Sequence, residues 1–130
     1  MISILGGSGF IGSSLSSLLK KRDKAFEILD LVSLEEFAAH THLVDICDKT
    51  ELRRALSGDV VVNLAAVHRD DVTDHNLYYS VNVDGARVVC EICEEKGIKK
   101  IVFVSSVAVY GFAEPGTGED GEICPFNEYG

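Results

Sequence analysis

The chain has 130 residues, 46% hydrophobic and 25% charged, with a formal net charge of −9, so it is one domain by length and globular by composition. The acidic balance argues against nucleic acid or an anionic membrane as partner, since both need basic patches, and no stretch approaches the ~18 uninterrupted apolar residues of a membrane span. A phosphate-bearing small molecule stays open, because backbone N–H groups bind phosphate locally.

Ile2 to Leu5 is a short apolar run ended by glycines, which suits a buried strand. Ile11, Leu15, Leu18 and Leu19 then recur at helical spacing, with Lys20, Lys21 and Arg22 favouring the helix C-terminus. Phe26 to Leu29 makes a second apolar run closed by Asp30. Leu34, Phe37 and Ala38 hint at a short helix, and Leu43 to Ile46 is the expected third strand. Asp48-Lys49-Thr50-Glu51 has capping-box spacing before the apolar face Leu52, Ala55 and Leu56. Val60, Val61, Val62 and Leu64 read as a strand wet on neither face. One long helix is expected to carry Leu77, Val81, Val88 and Ile92 on a single stripe and to stop at Gly97. Ile101 to Val104 is the fifth strand, and residues 111–128 read as a loop. Alternating strands and helices on short connections imply an α/β, Rossmann-type doubly wound parallel sheet of about five strands, order 3-2-1-4-5, spanning residues 1–130.

Residues 6–12, GGSGFIG, follow a strand and open a helix, with Gly6, Gly9 and Gly12 at G-x-x-G-x-x-G spacing and Phe10 and Ile11 inside the same turn. Side chains at these glycines would obstruct a tight turn, the approach to a pyrophosphate, or helix–strand packing. Asp30 ends the second strand eighteen positions after Gly12, where a carboxylate accepts from both adenosine ribose hydroxyls and repels a 2′-phosphate. Glycine turn, strand context and acid together point to dinucleotide binding, with NAD favoured over NADP.

GGSGFIG at 6–12, Asp30, VDICD at 44–48, NLAA at 63–66, NVDGA at 82–86, SSVAVYG at 105–111 and the closing NEYG resemble an extended short-chain dehydrogenase/reductase of the NAD-dependent epimerase/dehydratase family. Leu5 departs from the Thr that family often has before the glycines. The resemblance implies a nucleotide-sugar epimerase, in its N-terminal part only. It further implies that Asp45 and Ile46 flank the adenine and that Leu64, Ala65, Ala66 and Val104 lie close to the cofactor. Asn82 holds the neighbouring strand ends or the cofactor. Ser106 falls at the catalytic Ser/Thr position, with Ser105 supporting the pocket, and Tyr129 at the catalytic Tyr of a Tyr-x-x-x-Lys motif.

In that chemistry a Tyr takes the proton of a sugar carbinol while hydride leaves. A phenol ionising near ~10 needs a neighbouring ammonium to serve as base. The Lys expected four places beyond Tyr129 and the C-terminal substrate-binding region lie outside the 130 residues, so this chain alone is expected not to turn over. Family dehydratases carry Asp-Glu straight after the catalytic Ser/Thr, whereas Val107 and Ala108 stand here. That favours an epimerase. A keto-sugar reductase or dehydratase, or a non-catalytic NAD sensor or scaffold, remains the alternative.

The location expected is the cytoplasm, since Met1 opens an apolar run with no basic leader. Cys47, Cys90, Cys93 and Cys124 are then reduced thiols, with Cys90 and Cys93 buried in a helix. His68 is a substrate-side residue or a loop His at the pocket edge. His40 and His42 lack partners at metal spacing, so no metal is expected. Arg69, Asp70 and Asp71 are solvated loop charges, with contact to a substrate phosphate the alternative for Arg69, and Glu91, Glu94 and Glu95 form the wet face of the long helix. A homodimer through the Leu77–Glu95 helix is an arrangement the resemblance allows, and Ile101 to Val104 is expected at an exposed sheet edge.

Overall fold

The computed structural model describes residues 1–69 and 71–130; Asp70 lies outside the described residues. Five short strands, β1 (Ile2–Leu5), β2 (Phe26–Asp30), β3 (Thr41–Leu43), β4 (Val60–Asn63) and β5 (Lys100–Phe103), form one parallel sheet in the order β3-β2-β1-β4-β5. The connecting helices are α1 (Phe10–Lys21), α2 (Lys49–Ala55) and α3 (Ala86–Glu95).

Side chains alternate across the sheet, and both faces are covered over the central strands β1, β2 and β4. Ile4 and Ile28 point to a core closed by Leu19 of α1 and by Phe37 of the 3₁₀ turn Glu35–His40. Leu5, Leu29 and Val61 point the other way, onto Leu52 of α2 and Val89, Ile92 and Cys93 of α3. The α2 N-terminus is capped as its spacing demands, the Asp48 carboxylate accepting from Thr50 N and Glu51 N at 3.0 Å each. Buried Glu27 is held by Ser57 N (2.8 Å), Ser57 Oγ (2.7 Å) and Ser3 Oγ, which gives a charge inside the sheet the donors it needs.

Three expectations need correction. The third strand is Thr41–Leu43, not Leu43–Ile46. Val44 and Ile46 are buried because they pack into the α2/α3 core, and that burial, with a single ladder bond from Val44 N to Asp30 O beyond the strand, produced the strand-like signal. The long helix is two segments: a wide-turned π-helical stretch, Tyr78–Gly85, leads into α3. Leu77, just before it, is 43% exposed and so leaves the expected stripe. Cys93 is buried with Val89 and Ile92, but Cys90 is exposed, because it follows Val89 by one residue, about 100° round α3, and so falls outside the buried stripe. Glu91, Glu94 and Glu95 do lie on the wetter face of the helix, where Glu95 also receives the Arg53 guanidinium at 2.8 and 2.9 Å and Lys49 pairs with Glu91, tying α2 to α3.

Among the described residues Lys100–Phe103 is the last strand of the sheet and sits at its edge with all four residues exposed, as expected of the fifth strand. Beyond Val107–Tyr110, a single 3₁₀ turn, residues 111–130 contain no helix or strand.

Candidate functional site

Four strands, β1, β3, β4 and β5, extend their ladders by one residue at the carboxyl end. Gly6 N donates to Leu29 O, Leu64 N to Leu5 O, Val44 N to Asp30 O and Val104 N to Asn63 O. The loops that leave the strands therefore start along one edge. The chain's crossovers reverse direction between β1 and β4, and a crevice at that switch point is where open α/β sheets bind ligands.

The glycine turn stands at this switch. Gly6 has φ +74°, and a Cβ on it would lie 2.7 Å from Ala65 N and 2.9 Å from the Leu64 carbonyl carbon. The turn thus presses against the β4 exit at Leu64-Ala65, and only glycine permits both the conformation and the approach. Gly12 packs on Gly7, a Cβ there falling 2.5 Å from Gly7 Cα. Gly9 is different. Its φ of −73° and ψ of 179° suit any residue, and its nearest neighbour would be Gly6 O at 3.4 Å. The fold leaves space above Gly9 that it does not itself fill. Gly9 also caps α1, whose first turn holds no acidic residue and whose leading N–H groups have no partner within the helix. Phe10 (90% exposed) and Ile11 face solvent there.

Asp30 borders the same space. Its carboxylate accepts from Ser8 N at 2.9 Å and from Val32 N at 3.2 Å, so it fixes the turn and keeps lone pairs for hydroxyl donors. Ser8, whose Oγ also donates to Val32 O, escaped the sequence reading, although it lies inside the glycine motif. So did the exposed apolar pair Leu31 and Val32 beside Asp30. Asp45 is exposed and accepts from Cys47 N at 2.9 Å, whereas the Ile46 side chain is buried, leaving its backbone for the cleft. Burial, then the neighbouring Asp45, pushes the Cys47 thiol up to about 11.

Past β4, Ala65 N is held by the Asn63 amide oxygen (3.2 Å), and Ala66 is exposed. Asn82 grips the Val67 peptide from both sides, Oδ1 accepting from Val67 N and Nδ2 donating to Val67 O, each at 2.8 Å. Of its two expected roles, tying elements together is the one seen. Val104 and Ser105 are exposed beyond β5, and Ser106 accepts from Ala108 N at 3.1 Å, leaving its O–H to donate. The last residues fold back on this turn: Cys124 N donates to Val109 O (2.9 Å), and Gly130 packs on Ala108. That return brings the Tyr129 ring opposite His68, centroids 6.4 Å apart at 61°. His40 stacks on Phe26 and His42 lies 3.6 Å from Glu27. Arg69 pairs with Asp71 as a surface ion pair.

A sequence model of the NAD dependent epimerase/dehydratase family matches residues 2–130. The N-acetyl-alpha-D-glucosaminyl-diphospho-ditrans,octacis-undecaprenol 4-epimerase of Escherichia coli O157:H7 is 41% identical, the match covering 98% of this chain and 38% of that protein. The D-erythronate dehydrogenase of Cupriavidus necator is 34% identical over 98% of this chain and 45% of its own length. Among solved structures, the Thermus thermophilus UDP-glucose 4-epimerase in complex with NAD superposes with a TM-score of 0.89 at 29% identity, covering 98% of this chain and 45% of that one. The chain thus spans about two-fifths of the length of these relatives.

Proposed function

The chain belongs to the NAD dependent epimerase/dehydratase family, and on that premise we propose that it is the NAD-binding part of a nucleotide-sugar epimerase. The observation that carries this reading is the unfilled space above Gly9, bordered by the Asp30 carboxylate. Gly6, Gly9, Phe10, Ile11 and Gly12 would hold the pyrophosphate at the start of α1, and Asp30 the adenosine ribose. Asp45 and the Ile46 backbone would flank the adenine. Leu64, Ala65, Ala66, Asn82 and Val104 would border the rest of the dinucleotide.

NAD, held by these residues, would supply the acceptor and later the donor of the hydride exchanged with the sugar carbinol. Tyr129 takes the hydroxyl proton of that carbinol and gives it back in the reverse step. Ser106, with its O–H uncommitted, donates to the same oxygen and orients it, Ser105 supporting the pocket wall. His68 stands across from Tyr129 as a substrate-side hydrogen-bonding group. The substrate passes through a keto-sugar that turns over before hydride returns, which inverts the centre with no net redox change. Val107 and Ala108 supply no acid to expel a hydroxyl, which supports epimerisation over dehydration. The remaining length found in the relatives would complete the nucleotide-sugar site, and the 130 residues by themselves would bind cofactor without turnover. Four free cysteines support a reducing, cytoplasmic setting, and exposed Tyr79 and Val83 on the Tyr78–Gly85 segment support a homodimer through that face.

The relation to a dehydrogenase gives the second reading, net oxidation of a hydroxyl. Incubating the full-length gene product with NAD and a UDP-hexose, with proton NMR of the sugar, separates the two. Interconversion of epimers without accumulating NADH supports the proposal. Stoichiometric NADH supports the dehydrogenase, and neither product from an NAD-loaded protein overturns both.

A further inference from the structure

We propose that Tyr78 and Asn82 are positioning residues that aim His68 across the cleft at Tyr129, an inference that rests on the reading of His68 and Tyr129 as site residues. Residues 64–69 leave β4 without regular structure, so their backbone groups must find partners elsewhere. Two side chains from one element supply them. Asn82 takes both the N–H and the C=O of Val67 at 2.8 Å, and the Tyr78 hydroxyl donates to Arg69 O at 2.5 Å. The residues on either side of His68 are therefore fixed at three backbone atoms, while the His68 side chain itself is left exposed.

The element that does this is the wide-turned segment Tyr78–Gly85, a helical irregularity that recurs at functional sites. Tyr78 and Asn82 stand four residues apart on it and so project to the same side. The segment is itself anchored: Gly85 lies so close to Ile46 that a Cβ would come within 2.9 Å of its Cδ1, and Cys47 Sγ meets Ser80 O at 3.5 Å. Tyr78 is 6% exposed, so its hydroxyl is committed to Arg69 O. With the Arg69 side chain drawn off by Asp71, His68 is the side chain of this stretch that meets Tyr129. Its Nδ1 lies 3.5 Å from Ala66 O.

The test reads the His68 ring by NMR in the 130-residue chain, its signals assigned with His68→Gln. Tyr129→Ala removes the neighbouring ring current and defines where an unpaired His68 resonates. Tyr78→Phe deletes one hydroxyl and keeps the buried ring. It is expected to move the His68 signals more than halfway toward the Tyr129→Ala position, with NAD affinity within about twofold of wild type. Asn82→Ser is expected to move them in the same direction. His68 signals unchanged in both Tyr78→Phe and Asn82→Ser overturn the proposal, as does a Tyr129→Ala variant that leaves His68 unmoved. Absence of NAD binding by the wild-type chain strikes the cofactor reading alone, since the His68 signals report without ligand.

Discussion

A methyl group placed on Gly9 meets Gly6 O at 3.4 Å and nothing closer, on a backbone any L-residue adopts. Alanine is a poorer N-cap than glycine by roughly 0.5–1 kcal/mol, while its lower unfolded-state entropy returns about 0.4–1 kcal/mol. The net effect of Gly9→Ala on stability is then within about 0.5 kcal/mol, or roughly 2 °C in Tm for a chain of this size. Gly6→Ala is the contrast. Its φ of +74° costs alanine about 1–2 kcal/mol, and the Cβ at 2.7 Å from Ala65 N forces backbone apart, adding about 1–3 kcal/mol. That sum lowers Tm by roughly 10 °C. If the space above Gly9 belongs to the dinucleotide, Gly9→Ala folds like wild type and still loses at least about tenfold in NAD affinity, 1.4 kcal/mol. Thermal melts followed by calorimetric titration measure both. Wild-type NAD affinity in Gly9→Ala refutes the placement, and a Gly9→Ala melt as low as that of Gly6→Ala refutes the reasoning about space.

Further expectations concern the frame around the site. Asp48→Ala removes the acceptor for Thr50 N and Glu51 N and should cost about 1 kcal/mol in denaturant unfolding; no change would mean that α2 is held without its cap. With its thiol pushed up to about 11, Cys47 exposes little thiolate at pH 8. It should alkylate on the order of 10²-fold more slowly than a thiol near ~8.5, with the rate still rising tenfold per pH unit from 8 to 10. Mass spectrometry reads this directly, and labelling as fast as that of exposed Cys124 would contradict it. The exposed edge strand Lys100–Phe103 should make this chain self-associate with concentration. Val102→Lys should suppress that in sedimentation, and a wild-type chain monomeric throughout would argue otherwise.

The strand order and the glycine turn were legible because continuous apolar runs such as Val60–Val62 are what a sheet buried on both faces requires. Asp30 was legible for a similar reason, since its type and its distance from the glycines are both set by local geometry. Residues 44–46 misled because apolar residues in a packed loop look like a strand, although pairing ends with the single bond from Val44 N to Asp30 O. The wide turn at Tyr78–Gly85 was hidden, since apolar periodicity does not encode a shift of hydrogen bonds from i+4 to i+5. The same limit concealed Tyr78, whose hydroxyl finds its partner only once the loop after β4 is folded. The meeting of His68 with Tyr129 depends on the return of residues 124–130 to the Val107–Tyr110 turn, a long-range contact that no local pattern announces.

The central claim, an NAD site with the ribose on Asp30, is tested most directly by calorimetric titration of wild type and Asp30→Asn with NAD and with NADP. The account predicts that wild type binds NAD at least about tenfold more tightly than NADP, 1.4 kcal/mol, because the carboxylate accepts ribose hydroxyls and repels a 2′-phosphate. It predicts that Asp30→Asn narrows that gap mainly by losing NAD affinity. Equal affinity for the two dinucleotides in wild type, or a preference for NADP, would contradict it.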